Sequence, residues 1–278
     1  MRKVDYIRLI LARPLLAYQS TAGITRGKGF IQRSILPRIL PQPPASFILV
    51  RPGGTRIRLQ YRELLGIAAL VSGRFEDAEC RRMLELAVPG SVAFDVGANV
   101  GIHTVPLASR MAPGKVIAVE PLPQNAERLR ANAALNAILN IDIHVVAAGE
   151  KTGKVNLHLA NDAAYGSTGQ IAEHREIGSA IAVEQSTLDA LWEAAGRPRV
   201  SLIKIDVEGE ESGVLLGASR LLSHERPAIV AEANTPRALT ELSQTLARYG
   251  YQKAPAPGFE EWNHLFLPRL EANGIKAE

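Results

Sequence analysis

The sequence predicts an α/β fold built on a doubly wound, mostly parallel sheet. After residue 90, short apolar runs alternate with segments in which apolar residues have helical spacing. The apolar runs are continuous, as is typical of strands that are buried on both faces. Strands that alternate with helices form parallel sheets with right-handed crossovers. Ligands of such sheets bind beyond the carboxyl ends of the strands, so the residues that end each strand are the first candidates for a functional site.

Five strands and five helices are predicted in this region. The strands are 91–96, 116–119, 141–147, 200–205 and 228–231, and the helices are 102–111, 124–137, 187–194, 211–222 and 237–249. The segment 160–180 is polar and contains glycine, which predicts an irregular loop that is long enough to have a functional role.

The chain before residue 91 divides into two parts. Residues 1–45 are predicted as a basic N-terminal extension, and its last part, 36–45, holds four prolines and favours an extended linker. Residues 46–90 predict two short strands around a Pro-Gly-Gly turn, followed by a helix, all packed on the core. The expected domains are therefore 1–45, 46–90 and 91–278, the last of which would hold the ligand site.

Composition excludes several classes of protein. The 278 residues are 46% hydrophobic and 22% charged, which is ordinary for a soluble globular protein. A single cysteine, Cys80, excludes an internal disulfide framework and a cysteine-based zinc site. No apolar stretch approaches the roughly 20 residues of a transmembrane helix. These features predict a cytoplasmic protein.

Positive charge is concentrated in the first 90 residues, which hold 15 Lys and Arg against 6 Asp and Glu. A basic segment can meet phosphates, an anionic membrane surface or an acidic partner, although it is more often a solvated or partner-facing surface. Val4, Ile7, Ile10 and Leu11 have helical spacing. Two interpretations stay open: a helix in peripheral contact with a membrane, or, as we favour, a short helix that packs on the main domain.

Acidic residues and glycines follow the first two strands of the predicted sheet. Asp95 ends the first strand, and Gly97 and Gly101 follow it in a turn that leads into a helix. Glycines let the backbone turn sharply and approach a ligand, and a helix N-terminus favours a carboxylate or a phosphate. Glu120 and Pro121 end the second strand about 20 residues later, where an acid can accept hydrogen bonds from both hydroxyls of a ribose. The pattern predicts a nucleotide-type site.

The spacing of these residues distinguishes between nucleotides. A dinucleotide-binding turn has the pattern Gly-x-Gly-x-x-Gly, but this chain has Asn99 at the second glycine position and Ile102 at the third. An acid two residues before the first glycine suits a ligand with a cationic ammonium group better than a pyrophosphate. S-adenosylmethionine has such a group, together with a carboxylate and a ribose, and is the expected cofactor.

A third group of acids follows the predicted strand 200–205. Lys204 lies within this apolar run, and Asp206, Glu208 and Glu211 come directly after it. Carboxylates at this point can cap the following helix. They also lie in the crevice of a nucleotide-binding sheet, where clustered carboxylates suit a general base or a divalent cation.

In order along the chain, these motifs resemble the FkbM family of S-adenosylmethionine-dependent methyltransferases. The resemblance covers about residues 75–268 and implies a Rossmann-like fold of the class I methyltransferase type. It also implies O-methylation of a hydroxyl on a sugar, glycan, glycolipid or secondary metabolite. The matching segments are FDVGANVGIHT (94–104), GKVIAVEPLPQNAERLRANAALN (114–136), STLDAL (186–191), LIKIDVEGEESGVLLGA (202–218), RPAIVAEAN (226–234) and NHLFLP (263–268).

The resemblance implies a cofactor role for residues at each strand end. Those after the first strand would line the methionine end, those after the second would hold the ribose, and those after the third would flank the adenine. Asp206 would border the methionine moiety or the reacting centre. The implied cofactor-binding residues are Asp95, Gly97, Ala98, Asn99 and Gly101 for the methionine end, Glu120 and Pro121 for the ribose, and Ala147 and Ala148 for the adenine.

Methyl transfer to a hydroxyl needs a base that takes the hydroxyl proton. The candidates are Asp206 and Glu208, directly or through a bound divalent cation, and His103, although a lone histidine is more often a supporting or surface residue. The expected acceptor is a small molecule or a glycan. Its pocket is expected from the segment 160–180, unless that segment is partly disordered, and Tyr165 and His174 would contact the acceptor there.

Three other functions stay open. A nicotinamide-dependent oxidoreductase can share such a sheet, but the glycine pattern of a dinucleotide site is missing. A nucleic-acid methyltransferase could use the basic N-terminal third, but an aromatic content of 5% leaves few side chains for stacking on bases, so no nucleic-acid partner is expected. A non-catalytic scaffold conflicts with the acids at three strand ends.

Overall fold

The computed structural model describes residues 3–20, 30–40, 45–61, 63–160, 166–167 and 177–269. The elements before the central sheet are α1 (Lys3–Ser20), a π-helical turn (Ile31–Ile35), α2 (Leu36–Ile39), β1 (Ser46–Val50), β2 (Arg56–Gln60), α3 (Leu64–Ser72) and α4 (Asp77–Leu86). The first half of the sheet region contains β3 (Val92–Val96), α5 (Thr104–Met111), β4 (Lys115–Val119), α6 (Pro123–Leu135), β5 (Ile141–His144), β6 (Ala147–Ala148), β7 (Gly153–Ala160) and β8 (Gly166–Ser167). The second half contains β9 (Ile177–Ser186), α7 (Leu188–Ala194), β10 (Val200–Ile205), α8 (Glu211–Leu216), α9 (Ser219–Glu225), β11 (Ala228–Glu232), α10 (Pro236–Ala247), β12 (Tyr251–Ala254) and β13 (Asn263–Pro268).

The central sheet confirms the predicted doubly wound architecture. Its seven strands have the order β12-β13-β11-β10-β3-β4-β5. The five strands from β11 to β5 are parallel, whereas β13 is antiparallel to β11 and β12 is antiparallel to β13. Side chains of β3 and β10 such as Phe94 and Ile203 are fully buried, and burial of each such side chain stabilises the fold by roughly 1.5–3 kcal/mol. The chain order is reversed between β3 and β10, which is where such sheets bind ligands.

Residues 46–90, which we call the hairpin segment, pack on the region that follows β3. The predicted strands around the Pro-Gly-Gly turn are confirmed, because β1 and β2 pair antiparallel. Backbone N–H groups of Arg56 and Arg58 donate to the side-chain oxygens of Asn136 and Asn132, at 2.8 and 2.9 Å, so β2 is hydrogen-bonded to α6. Apolar side chains of the hairpin and α3 share a cluster with Val100, Ile102 and Val105. The hairpin segment is therefore fixed beside the turn that leads out of β3.

One prediction for the N-terminal region needs correction. The segment 36–45 is not extended throughout, because Leu36–Ile39 is helical. Pro37 lies in the first turn of that helix, where its missing N–H breaks no hydrogen bond, and Leu36 is buried. The basic N-terminal extension stays a prediction, and its helix α1 is in contact with α2 and α3.

The α1 helix agrees with the predicted helical spacing, but its contacts are made by another face. Ala12 is fully buried against the N-terminal cluster, whereas Leu11 is 65% exposed and Ile7 is 56% exposed. Of the helices that the structure describes, none combines the length and the apolar character needed to cross a membrane.

Between β5 and α7 the chain forms a second sheet that the sequence analysis missed. Its four strands have the order β6-β9-β7-β8, with β7 antiparallel to β9. Residues 177–180, predicted as part of an irregular loop, therefore belong to a strand. The alternation of Val155 and Leu157 with polar residues was a signal for β7. Tyr165 and His174 lie outside the described residues.

Two predicted elements are divided in the structure. The strand predicted at 141–147 ends at His144, and Ala147–Ala148 pairs with β9 in the second sheet. The helix predicted at 211–222 becomes α8 and α9, separated at Gly217. A Cβ on Gly217 would lie 2.1 Å from the carbonyl oxygen of Gly149, so the helix ends where its backbone meets the chain after β6.

Candidate functional site

An open cavity lies at the carboxyl ends of β3, β4 and β10. Eleven of the twelve residues that the sequence predicts for the site line this one cavity. They are Asp95, Gly97, Ala98, Asn99, His103, Glu120, Pro121, Ala147, Ala148, Asp206 and Glu208.

The turn after β3 brings its backbone close to the end of β10. Gly97 has a φ of 83°, and a Cβ there would lie 1.8 Å from the carbonyl oxygen of Asp206, so only glycine fits. The N–H groups of Gly97 and Ala98 both donate to the carbonyl oxygen of Val119, at 2.9 and 3.0 Å. The turn is therefore fixed to β4 on one side and lies against β10 on the other.

Gly101 has a different role from the one that the resemblance implies. It does not line the cavity, although its φ of 86° lies in the left-handed region. A Cβ at this position would lie 3.0 Å from Cγ of Leu129 in α6. Gly101 allows close packing of two helices behind the turn, and this packing positions the turn without contact with a ligand.

Asp95 places a carboxylate at the floor of the cavity. Its side chain is 1% exposed, and Oδ2 accepts a hydrogen bond from the Thr104 hydroxyl at 2.5 Å. Oδ1 is buried and has no hydrogen-bond partner. A buried acceptor without a partner is costly, so this oxygen fits a ligand that brings a donor, above all a cationic one.

Glu120 lies at the end of β4 and holds the turn in place. Its Oε2 accepts the N–H of Asn99 at 2.8 Å, and its Oε1 accepts the N–H of Leu122 at 3.0 Å and the amide of Asn125 at 3.2 Å. Burial raises the pKa of Glu120 to about 7, although these three hydrogen bonds act in the opposite direction. Asn125, which the sequence analysis did not single out, also lines the cavity.

A buried ion pair lies at the end of β10. Lys204 is opposite Asp95 in the register of β3 and β10, and its Nζ donates to Oδ2 of Asp206 at 2.9 Å. Burial raises the pKa of Asp206, but the Lys204 ammonium and the hydrogen bond with Glu232 outweigh it, so the pKa is lowered. Burial and the charge of Asp206 raise the pKa of Glu232, so Glu232 is protonated at neutral pH whereas Asp206 is ionised. The Asp206 carboxylate is bound to both Lys204 and Glu232, and it is therefore a weak base.

Glu208 lies in the cavity wall with an unusual backbone conformation. Its φ is 56°, in the left-handed region that residues other than glycine rarely adopt. Such a conformation costs energy and persists only where the surrounding structure imposes it. Among residues 3–269, leaving out the undescribed stretches, no group of three or more His, Cys, Asp and Glu side chains is arranged to hold a metal ion.

His103 also lines the cavity and has a partner that the sequence analysis missed. Its ring is 3% exposed, and Nε2 is 2.8 Å from Oε2 of Glu76. The second ring nitrogen, Nδ1, is buried without a hydrogen-bond partner. Glu76, Phe75 and Leu65 all come from the hairpin segment and all line the cavity. The hairpin segment therefore supplies part of the wall of the site.

A comparison with known protein families identifies the family of the chain. A sequence model described as the Methyltransferase FkbM domain matches residues 95–253. The chain belongs to this family. The match begins at Asp95 and includes every predicted residue of the cavity, but it leaves out the hairpin segment. The resemblance drawn from the sequence motifs is confirmed.

Three characterised relatives show partial similarity. The hexuronic acid methyltransferase AglP of Haloferax volcanii is 27% identical over 159 residues, which are 56% of this chain and 62% of AglP. The 2-O-methyltransferase NoeI of Sinorhizobium fredii is 28% identical over 154 residues, or 51% and 63%. The antimetabolite synthetase AmbE of Pseudomonas aeruginosa is 26% identical over 204 residues, or 59% and 10%. The chain thus spans about three fifths of two relatives and a tenth of the third.

Among solved structures, the FkbM methyltransferase of Methylobacillus flagellatus KT is similar to this chain with a TM-score of 0.46 and 15% identity. The similarity covers 95% of this chain and 60% of that one.

Proposed function

We propose that the protein is an S-adenosylmethionine-dependent O-methyltransferase that acts on a hydroxyl group of a sugar, a glycan, a glycolipid or a related metabolite. The observation that carries the proposal is the cavity of this FkbM-family chain, where the free carboxylate oxygen of Asp95 and the carboxylate of Glu120 lie at adjacent strand ends. The names of AglP and NoeI, a hexuronic acid methyltransferase and a 2-O-methyltransferase, support a sugar hydroxyl as the acceptor.

The residues of the cavity fit S-adenosylmethionine. The free Oδ1 of Asp95 suits the ammonium group at the methionine end. Gly97 lets the turn lie against the backbone of Asp206, so that the ends of β3 and β10 line the same cavity. Glu120 is placed to accept ribose hydroxyls, and the small side chains of Ala147 and Ala148 leave space for a flat adenine ring.

Bound S-adenosylmethionine supplies a methyl group on a positively charged sulfur, which a nucleophile can displace. The protein's own task is to align the acceptor oxygen with that methyl group and to take the hydroxyl proton. Of the three candidate bases, Asp206 is bound to Lys204 and Glu232, whereas His103 lines the cavity and its Nδ1 has no hydrogen-bond partner. We therefore assign proton removal to His103, while Asp206 and Glu208 form part of the cavity wall.

Several expectations from the sequence stay predictions. These are the domain division at residues 45 and 90, a cytoplasmic location, contact of the basic N-terminus with a membrane surface, and a requirement for a divalent cation. The docking of the hairpin segment on α6 supports one catalytic unit that spans residues 46–269, instead of a separate N-terminal domain.

The proposal is tested by methyl transfer with the full-length protein. S-adenosylmethionine with a labelled methyl group is incubated with extracts rich in glycans, glycolipids and secondary metabolites, and with RNA and DNA in separate reactions. We expect label in a sugar-containing fraction, in a linkage that resists base as an ether does. Label in nucleic acid alone, or in no fraction, would contradict the proposal.

Calorimetry provides a matched test of cofactor binding. S-adenosylhomocysteine should bind the wild-type protein, and NAD should not. Asp95→Asn should weaken binding roughly tenfold, because the ammonium loses a charged acceptor. Asp142→Asn is the control: it removes a carboxylate that pairs with Lys115 on the exposed surface, outside the cavity, and should leave binding unchanged. Equal affinities for NAD and S-adenosylhomocysteine would favour the oxidoreductase alternative.

A further inference from the structure

We propose that Glu76 of the hairpin segment is a positioning residue for His103, which it holds with Nε2 protonated and Nδ1 free to take the proton of the acceptor hydroxyl. The inference rests on the proposed function, and it adds a residue from outside the matched family region to the reaction. It also gives the hairpin segment a role in catalysis.

The contact between the two side chains fixes the form of the imidazole. Oε2 of Glu76 is 2.8 Å from Nε2 of His103, and both side chains are largely buried and line the cavity. An ionised carboxylate can only accept a hydrogen bond, so Nε2 must carry the hydrogen. In the neutral ring Nδ1 then keeps a lone pair, and Nδ1 is the nitrogen without a partner.

The charge state of Glu76 agrees with this arrangement. Burial raises the pKa of Glu76, but the hydrogen bond with His103, the positive charge of His103 when its ring is protonated, and the charge of Lys204 outweigh burial and lower the pKa. Glu76 is therefore a carboxylate at neutral pH. Lys204 and Asp206 face the pair from β10, and the negative charge of Asp206 also acts on His103.

The backbone at Glu76 is held in a strained conformation. Its φ of 44° and ψ of 46° lie in the left-handed region, directly before the first turn of α4. A long side chain such as glutamate has no intrinsic preference for this region. From this position Glu76 lines the cavity, and the contacts of the neighbouring residues hold the segment in place.

Arg51 supplies those contacts for both members of the pair. It is 2% exposed and lies just after β1. Its Nε donates to the carbonyl oxygen of Ile102 at 3.2 Å, and its Nη1 donates to the carbonyl oxygen of Phe75 and to Asp77. Phe75 and Ile102 directly precede Glu76 and His103. One guanidinium group therefore sets the separation of the two backbone segments that carry the pair.

The proton transfer is balanced within this arrangement. The O–H bond of the acceptor breaks, an N–H bond forms at Nδ1, and the positive charge of the imidazolium is stabilised by the Glu76 carboxylate. The acceptor oxygen forms its bond to the methyl carbon while the bond between that carbon and sulfur breaks, and the electron pair stays on sulfur. His103 afterwards releases its proton to water.

The first test needs neither acceptor nor cofactor. The full-length protein is labelled with 15N-histidine, and the signals of His103 are assigned by their loss in His103→Asn. We expect Nε2 to carry the hydrogen in the wild-type protein near pH 8. In Glu76→Gln the amide can present either its oxygen or its NH2 group to Nε2, so a mixture of tautomers should appear. A hydrogen on Nδ1 in the wild type, or the same single tautomer in both proteins, would overturn the proposal.

The second test distinguishes positioning from general support of the structure. With the acceptor fraction found above, Glu76→Gln should lower kcat roughly 10- to 100-fold and leave the affinity for S-adenosylhomocysteine unchanged. His103→Ala should lower kcat at least as much, and Glu76→Gln added to His103→Ala should have no further effect. Full kcat in Glu76→Gln, or additive losses in the double variant, would show that Glu76 does not act through His103.

A control variant tests whether loss of any ion pair in the hairpin segment lowers kcat. Two further outcomes distinguish failure of the proposed function from failure of the Glu76 assignment. Glu63→Gln removes an ion pair with Arg128 elsewhere in the hairpin segment, outside the cavity, and should keep kcat within about twofold. If the wild-type protein neither binds S-adenosylhomocysteine nor transfers a methyl group, the proposed function fails. If it does both while Glu76→Gln is fully active, only the assignment of Glu76 fails.

Discussion

The turn after β3 and the hairpin segment face the same cavity, but they are built in different ways. In the turn, Asp95, Gly97 and Glu120 are brought together by two adjacent strands and the helix between them. In the hairpin segment, Glu76 reaches His103 only because β1, β2 and α3 pack on a helix and a turn that come much later in the chain. The first region is a local motif, and the second is a product of tertiary packing.

The two regions have different proposed tasks in the same cavity, cofactor binding and proton transfer. The local motif provides the groups that fit the cofactor, and it lies within the region that matches the FkbM family. The hairpin segment provides Glu76 and the apolar Leu65 and Phe75, and it lies before that region.

The largest expected effect comes from breaking the local motif. Gly97→Ala would place a Cβ 1.8 Å from the carbonyl oxygen of Asp206 at a φ of 83°, so we expect a loss of at least about 3 kcal/mol of stability together with cofactor binding. Gly213→Ala in α8 is the control, because its new Cβ would meet only the flexible end of Glu210. Chemical unfolding of both variants measures the difference, and equal stabilities would contradict the stated role of the turn.

A smaller effect is expected from the ion pair between Lys204 and Asp206 at the end of β10. Asp206→Asn leaves the Lys204 ammonium buried with a weaker partner, and we expect a loss of about 2 kcal/mol, less than for a fully buried pair because the Asp206 side chain is one-third exposed. Unfolding in denaturant measures the loss. If Asp206 were instead the general base, the variant would be stable and inactive, with the affinity for S-adenosylhomocysteine unchanged.

Arg51→Lys tests whether packing of the hairpin segment positions Glu76 and His103. A lysine cannot reach both carbonyl oxygens as the guanidinium does, so we expect a loss of about 1 kcal/mol of stability and a fall in kcat of roughly tenfold. The affinity for S-adenosylhomocysteine should not change. A loss of affinity equal to the loss of kcat would mean that the hairpin segment contributes to cofactor binding as much as to proton transfer.

The pH dependence of cofactor binding gives the smallest expected effect. The pKa of Glu120 is raised to about 7, so its ionised form, which accepts ribose hydroxyls, becomes dominant only above that pH. We expect the affinity for S-adenosylhomocysteine to rise by up to about tenfold between pH 6 and pH 8. Because the folded-state pKa is raised, the stabilising contribution of the protonated group is lost as pH rises through 7, and ligand should offset this loss. A flat affinity profile in calorimetry would contradict the assignment of Glu120.

The sequence predicted residues at the ends of β3 and β4 that share one cavity in the structure, for a physical reason. A strand, a glycine turn, a helix and a second strand form one compact unit, so the positions of Asp95, Gly97 and Glu120 follow from their spacing. Gly101 belonged to the same motif, but spacing does not reveal that its missing side chain makes room for Leu129 instead of a ligand.

The part of the site that the hairpin segment supplies could not be predicted from the sequence in the same way. Glu76 stands before α4 like many acids at helix starts, and Arg51 stands beside a turn like many surface arginines. Their roles depend on how β1 and β2 dock on α6, which no local pattern encodes. The strand β7 was different, since the alternation at 154–157 was visible and was overlooked.

The separation of the two tasks is tested most directly by calorimetry with S-adenosylhomocysteine on three proteins: the wild type, Glu120→Gln and Glu76→Gln. We expect the wild type to bind, Glu120→Gln to lose about tenfold or more in affinity, and Glu76→Gln to stay within about threefold of the wild type. No binding by the wild type, or equal losses in the two variants, would contradict a site in which the turn after β3 holds the cofactor and the hairpin segment serves the proton transfer.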